Sequence, residues 1–165
     1  MGENRPLWAP WRIEFIRSAK SGECFLCGNE QPHPEKPEEE LIVHRGSEVY
    51  AILNRFPYNS GHLLVAPYRH VGDLAELTDS ERHELIDMVA EGKKVLQKLL
   101  TPEAFNVGFN LGKAAGAGVA EHLHCHLVPR WNGDTNFMPV LADTRCVPEA
   151  IVSTAALVRS AWAEM

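Results

Sequence analysis

The chain lacks any apolar run long enough to cross a bilayer, and its opening Met1-Gly2-Glu3-Asn4-Arg5 does not start a signal peptide. A soluble, cytoplasmic protein is therefore expected. Cysteine is scarce. Cys24, Cys27, Cys125 and Cys146 are too few and too uneven to staple a chain of 165 residues with disulfides. A basic surface is missing as well, and a net charge of −6 argues against broad nucleic-acid or membrane binding. Much of that charge is local, because residues 30–40 hold five Glu against Lys36. An anionic small molecule is thus not excluded as a ligand. No internal repeat is visible. With 45% hydrophobic residues, the chain is one ordinary domain with a substantial core.

What the chain does have is the stretch Glu121-His122-Leu123-His124-Cys125-His126-Leu127-Val128-Pro129-Arg130-Trp131. On an extended strand, alternate side chains share a face, so His122, His124 and His126 form one row while Leu123, Cys125 and Leu127 pack inward. On a helix the same spacing would smear three imidazoles around the circumference and leave no apolar stripe. Pro129 is expected to end the pairing. A solvated strand face is the plain reading of one histidine, but three in strict alternation point to chemistry. Either they hold a metal, since neutral imidazole is a common ligand, or one attacks a substrate while its neighbours orient it.

Upstream, Trp8 and Trp11 are read as a clamp on the core, and residues 13–20 as a short helix. Cys24-Phe25-Leu26-Cys27-Gly28 is half of a zinc site or a redox pair. No second CxxC follows, so histidine must complete any tetrahedron, with His33, His44, His62, His70, His83 and the alternating three all eligible by spacing. Residues 28–40 contain no apolar residue except proline and are expected to be an exposed, mobile loop with His33 in solvent.

Strands are predicted at Leu41–His44 and Val49–Leu53, around a turn at Arg45-Gly46-Ser47-Glu48, and at His62–Pro67. His62 follows Gly61 where a loop enters the sheet, a frequent place for function and equally for a strand-end histidine bonded to backbone. Thr78-Asp79-Ser80-Glu81 spells a capping box, and apolar residues at helical spacing extend from about 79 to 100 before Pro102. Phe105–Leu111 alternates as a strand. Gly112-Lys113-Ala114-Ala115-Gly116-Ala117-Gly118 is a small-residue loop able to bring N–H groups near an anion. Asn132-Gly133-Asp134 is a turn, and 148–165 a final helix. The fold class is α+β: a single-domain antiparallel sheet with helices on one face.

The motif His122-Leu123-His124-Cys125-His126-Leu127-Val128 resembles the signature of the histidine-triad family. Gly61-His62-Leu63-Leu64-Val65, the long helix and Asn110-Leu111-Gly112 through Gly116 fall in that family's order, over about 41–131. Trp8-Ala9-Pro10-Trp11-Arg12, Phe105-Asn106-Val107-Gly108 and Pro129-Arg130-Trp131-Asn132-Gly133-Asp134 are most similar to the branch with bacterial diadenosine tetraphosphate phosphorylases. The resemblance implies a nucleotidyl transferase or hydrolase acting on dinucleoside polyphosphates, with phosphate or water as acceptor, or alternatively a nucleoside phosphoramidate hydrolase.

By motif match, His124 is the implied nucleophile, with His126 and His62 as donors. Asn54 is placed at the ribose, and Asn110 and Lys113 on the phosphate side. Gly112 belongs to the phosphate loop, and Trp131 lines the site. The resemblance also implies a homodimer with a continuous sheet, no organic cofactor, and a structural zinc on Cys24, Cys27, His70 and His122. The N-terminal 1–40 then forms a zinc-binding extension. Many members carry Ser or Gln near the leaving group, four residues before the first triad histidine; here the residue is Gly118. A catalytic metal centre and a nucleotide-binding regulator without turnover are the rival classes.

Overall fold

A computed structural model describes residues 24–134 and 149–165. Trp8, Trp11, the expected helix at 13–20 and Cys146 lie outside the described residues. Five strands, β1 (Ile42–Arg45), β2 (Val49–Leu53), β3 (Leu63–Pro67), β4 (Ala104–Phe109) and β5 (Cys125–Arg130), form one antiparallel sheet in the order β1-β2-β3-β5-β4. Two helices, α1 (Asp79–Leu100) and α2 (Ile151–Ala163), pack on the sheet and on each other. No helix among the described residues is long and apolar enough to cross a membrane.

The helix α1 begins and ends where its sequence demands. Thr78 Oγ1 accepts from the Glu81 N–H and the Glu81 carboxylate accepts from the Thr78 N–H, closing the capping box. Thr101 takes the left-handed conformation at the other end, before Pro102. Leu85, Met88, Val89, Gly92, Val95 and Leu96 are its buried stripe. Glu81 has a second task. Arg69, just past β3, grips its two oxygens at 2.9 and 2.7 Å and so ties the helix start to the sheet. That hydrogen-bonded guanidinium pulls the carboxyl down to about 2.

The helix α2 covers the edge of β1. Arg159 donates to the Ile42 carbonyl at 3.0 and 2.7 Å and to the Glu40 carbonyl at 3.0 Å, which satisfies acceptors that an edge strand would otherwise expose. Trp162 is buried and stacks on His44 with ring centroids 4.8 Å apart.

Three expectations need correction. The regular strand starts at Cys125, so His122 and His124 precede it and only His126 stands on β5. Nor is the histidine row a face apart from the core: His122 is 0% and His124 8% exposed. Pairing also runs through Pro129, which is opposite Phe105. The last β3–β5 pair is Leu63 with Leu127, so beyond it β5 is bonded by β4 alone and a missing N–H on the other side leaves no gap. The 28–40 segment is mostly exposed, as expected, and makes these contacts with the rest of the fold. Asn29 is buried and donates to the Phe25 carbonyl at 3.1 Å and to Tyr50 Oη at 2.9 Å; that hydroxyl in turn donates to the Leu26 carbonyl at 2.8 Å. Lys36 donates to the carbonyls of Cys27 and Gly28, and Arg45 pairs with Glu39 at 2.6 Å. His33 is exposed, as expected.

Gly61 sits against the end of α1 with φ +74, and an added Cβ would lie 2.5 Å from Leu100 Cδ1 and 3.2 Å from Leu96 Cδ2. Gly61→Ala combines a left-handed backbone with a packing clash. It is expected to cost more than about 1 kcal/mol, a drop in Tm of roughly 3 °C or more followed by circular dichroism.

Candidate active site and metal cluster

The antiparallel register of β3 and β5 sets Leu63 opposite Leu127 and Leu64 opposite His126. His62, one residue before β3, is then a diagonal neighbour of His126. Their rings meet with His62 Nε2 2.9 Å from His126 Nδ1. The His124 ring lies 5.0 Å from the His126 ring, edge to face.

Burial keeps these rings neutral. It pulls His62 down to about 3, helped by the neighbouring His126 and His124, and His126 down to about 4, helped by His124. His124 is also lowered by burial, partly offset by its bond to the His122 carbonyl. Neutral imidazole has one donor and one acceptor nitrogen, so the hydrogen bonds assign the tautomers. The Tyr58 N–H can only donate, and it points at His62 Nδ1 from 3.1 Å, with Asn54 Nδ2 at 3.3 Å from the same atom. His62 therefore carries its proton on Nε2 and donates to His126 Nδ1. That leaves His126 with its proton on Nε2, a buried N–H without a hydrogen-bond partner among the described residues. His124 is the reverse. Its Nδ1–H donates to the His122 carbonyl at 2.8 Å, which leaves a lone pair on Nε2. One open lone pair thus stands beside one open donor.

His122 belongs to a second cluster. The ligand atoms of Cys24, Cys27, His70 and His122 all lie within 4.8 Å of one another. Cys24 Sγ and Cys27 Sγ are 3.4 and 3.5 Å from His122 Nδ1, and Cys27 Sγ is 3.2 Å from His70 Nδ1. A tetrahedral cation with zinc's bond lengths, about 2.3 Å to sulfur and 2.0 Å to nitrogen, would hold sulfur and nitrogen about 3.5 Å apart. The residues fit such an ion. His122 Nε2 donates to the Pro67 carbonyl at 2.8 Å, and this outer bond aims Nδ1 at the sulfurs. Burial and the adjacent Cys24 raise the Cys27 thiol to about 11 in the absence of a cation. Two thiols and two imidazoles leave no open position for a reacting water, unlike a catalytic metal centre. The other eligible histidines are elsewhere: His44 against Trp162, His33 and His83 exposed.

The remaining sequence-selected residues are less tightly drawn together. Asn54 touches His62, as above. Extending the β4–β5 register one residue past Phe109 and Cys125 sets Asn110 opposite His124. Gly112, Lys113 and Gly118 are exposed, and Trp131 is half-buried with its N–H on Asp134 Oδ2 at 3.1 Å. The small-residue loop folds into a 3-10 turn at Lys113–Ala115, flanked by Gly112 at φ 79 and Gly116 at φ 83. The Ala115 and Gly116 N–H groups are spent inside that turn, so the loop offers an anion fewer donors than its composition implies. Tyr58 went unnoticed in the sequence, because its backbone N–H carries no side-chain signature; its ring also packs 4.6 Å from His62 and 5.8 Å from His126.

A five-stranded antiparallel sheet that brings three imidazoles together around its β3–β5 seam defines the class. The HIT domain model matches residues 35–133, and the chain belongs to that family. It is 42% identical over 163 residues to an AP-4-A phosphorylase of Mycobacterium tuberculosis, covering 95% of this chain and 84% of that relative. Among solved structures, a hypothetical histidine triad nucleotide-binding protein from Sulfolobus tokodaii is 25% identical with a TM-score of 0.62, over 75% of this chain and 84% of that one. A zinc-bound histidine triad family protein from Mycobacterium smegmatis, 22% identical, shares the fold with a TM-score of 0.61 over 92% of this chain and 93% of its own.

The buried neutral His62 makes a prediction about acid stability. A histidine whose folded pKa is depressed binds its proton more readily in the unfolded chain, so stability falls as pH drops below about 6.5. For His62 the loss continues until pH nears its folded value of about 3. At pH 5 it amounts to about 2 kcal/mol. The fall in Tm between pH 7 and pH 5 should therefore shrink in His62→Asn. An equal fall in both proteins would rule the buried neutral ring out.

Proposed function

We propose that this protein cleaves dinucleoside polyphosphates of the diadenosine tetraphosphate type through a nucleotidyl-histidine intermediate. The observation that carries the reading is the pair of opposed tautomers, a lone pair on His124 Nε2 beside an N–H on His126 Nε2. The AP-4-A phosphorylase relative, aligned over 95% of this chain, supports the substrate class.

In the first step His124 Nε2 attacks the α-phosphorus. The new P–N bond forms as the bond to the bridging oxygen breaks, and that oxygen leaves with the rest of the substrate. Negative charge develops on the phosphoryl oxygens, where the His126 N–H donates, while His62 holds His126 in that tautomer. The His122 carbonyl stabilises the proton on His124 Nδ1 as the ring gains positive character. In the second step an oxygen of inorganic phosphate, or water, attacks phosphorus from the opposite side and the P–N bond breaks.

Asn54 is assigned to the ribose hydroxyls, Asn110 and Lys113 to the phosphates, and Trp131 to the wall of the site. Gly118 supplies no side chain for the leaving group, which leaves the His126 N–H as the donor closest to the chemistry. Zinc on Cys24, Cys27, His70 and His122 is assigned a structural role. A homodimer with a continuous sheet completes the reading, and among the described residues β4 is an edge strand of the sheet.

Incubation with diadenosine tetraphosphate, with and without phosphate, tests the reaction. ATP with ADP only when phosphate is present defines a phosphorylase; ATP with AMP regardless of phosphate defines a hydrolase. His124→Asn should lower turnover by at least about 10³-fold yet keep AMP binding, and a variant with ordinary rates would exclude His124 as nucleophile. Cys24→Ser should lose zinc and Tm together, measured by metal analysis and thermal melting; unchanged metal content would rule the cluster out.

A further inference from the structure

His122 is shared between the metal cluster and the candidate nucleophile. Its ring, 0% exposed, has Nδ1 between the two sulfurs and Nε2–H on the Pro67 carbonyl, while its own carbonyl accepts the His124 Nδ1–H at 2.8 Å. The peptide that carries this carbonyl is held at its other end as well, since its N–H, on Leu123, donates to the Val71 carbonyl at 2.6 Å, beside His70. The group that orients His124 therefore hangs from a residue whose ring is held by thiols. Those thiols are reachable: Cys24 and Cys27 are half-buried and His70 is exposed, whereas the His122 ring behind them is fully buried.

We propose that His122 is a positioning residue for His124, and that the Cys24–Cys27 pair makes this positioning conditional on the thiols staying reduced. The inference rests on the reading of His124 as nucleophile. A peroxide is the oxidant. The two metal-bound thiolates give up two electrons and join as a Cys24–Cys27 disulfide; the peroxide O–O bond breaks, takes up two solvent protons, and leaves as two waters, for hydrogen peroxide itself. The pair already shares one turn, closed by the Cys27 N–H on the Cys24 carbonyl at 3.0 Å. Bringing the sulfurs to bonding distance draws them off both imidazoles and frees the cation. His122 Nδ1 is then buried without a partner, a costly state that its ring relieves by turning. With the His70 ring released as well, the Val71 carbonyl beside it no longer fixes the His122–Leu123 peptide, the His122 carbonyl shifts, and His124 loses the acceptor that keeps its lone pair on Nε2.

The test uses the full chain loaded with zinc and treated with hydrogen peroxide. Zinc release is followed with a chromogenic chelator, the disulfide by peptide mass, and the His124 tautomer by nitrogen-15 NMR of the imidazoles. Turnover of diadenosine tetraphosphate is measured in parallel. Disulfide and free zinc should rise together, His124 should pass from one tautomer to a mixture, and turnover should fall by at least about tenfold, as a misassigned tautomer does in other histidine sites. Dithiothreitol with zinc should restore all four readings. A single, unchanged His124 tautomer after complete disulfide formation overturns the proposal.

Should circular dichroism show that oxidised protein has unfolded, His70→Gln with reduced thiols takes its place. That variant should show weakened zinc binding and a mixed His124 tautomer, and an unmixed one overturns the proposal equally. A failed nucleophile assignment would look different, as full turnover in His124→Asn while the unsubstituted chain keeps its His124 tautomer response to peroxide.

Discussion

The site depends on largely buried, neutral imidazoles, each with one nitrogen directed by a fixed partner. Burial makes the charged form expensive, so at neutral pH each ring has one proton and one lone pair to place. The Tyr58 N–H claims an acceptor on His62, and the His122 carbonyl claims a donor on His124. Those two backbone groups set everything downstream. A ring in solvent would exchange tautomers freely and present no defined lone pair.

The sheet serves this requirement by geometry. Pairing of β3 with β5 sets His62 diagonal to His126, and Pro67 at the end of β3 supplies the acceptor that turns His122 toward the thiols. The loop before β3 folds back so that Tyr58 meets His62. Elements far from the site hold this seam in place. The capping box and Arg69 fix α1 to the end of β3, and Arg159 of α2 closes the outer edge of β1. The N-terminal segment is anchored through Asn29 and Tyr50, which puts Cys24 and Cys27 within reach of residues about a hundred positions later.

Much of the fold was legible because local rules and tertiary packing agree. The capping-box spelling, the apolar stripe and Pro102 placed α1 at about 79–100, its observed span, and the strands expected at 49–53 and 62–67 became β2 and, one residue shorter, β3. The strand reading of the histidines succeeded only from Cys125 onward. Period-two alternation shows which side chains share a row, but not where the ladder begins, since that depends on a partner strand. The apolar-poor 28–40 segment is mostly exposed, and its one buried residue was illegible for a similar reason. Nothing local marks Asn29 as buried, because Tyr50 is brought to it only by folding. Likewise the 112–118 loop looked like a ring of free N–H groups until its own 3-10 turn consumed two of them.

By itself the sequence determined that three histidines alternate with Leu123, Cys125 and Leu127, that a CxxC has no second one to complete a tetrahedron, and that a capped amphipathic helix separates the strands. These are properties of neighbouring residues, set by backbone period and side-chain chemistry. Only the tertiary structure decided which histidines lie beside the CxxC, and which nitrogen of each ring meets a backbone donor or acceptor. Both rest on atoms distant in the chain, the Pro67 and His122 carbonyls and the Tyr58 N–H, and a backbone donor or acceptor reads the same at every position until folding gives it a neighbour.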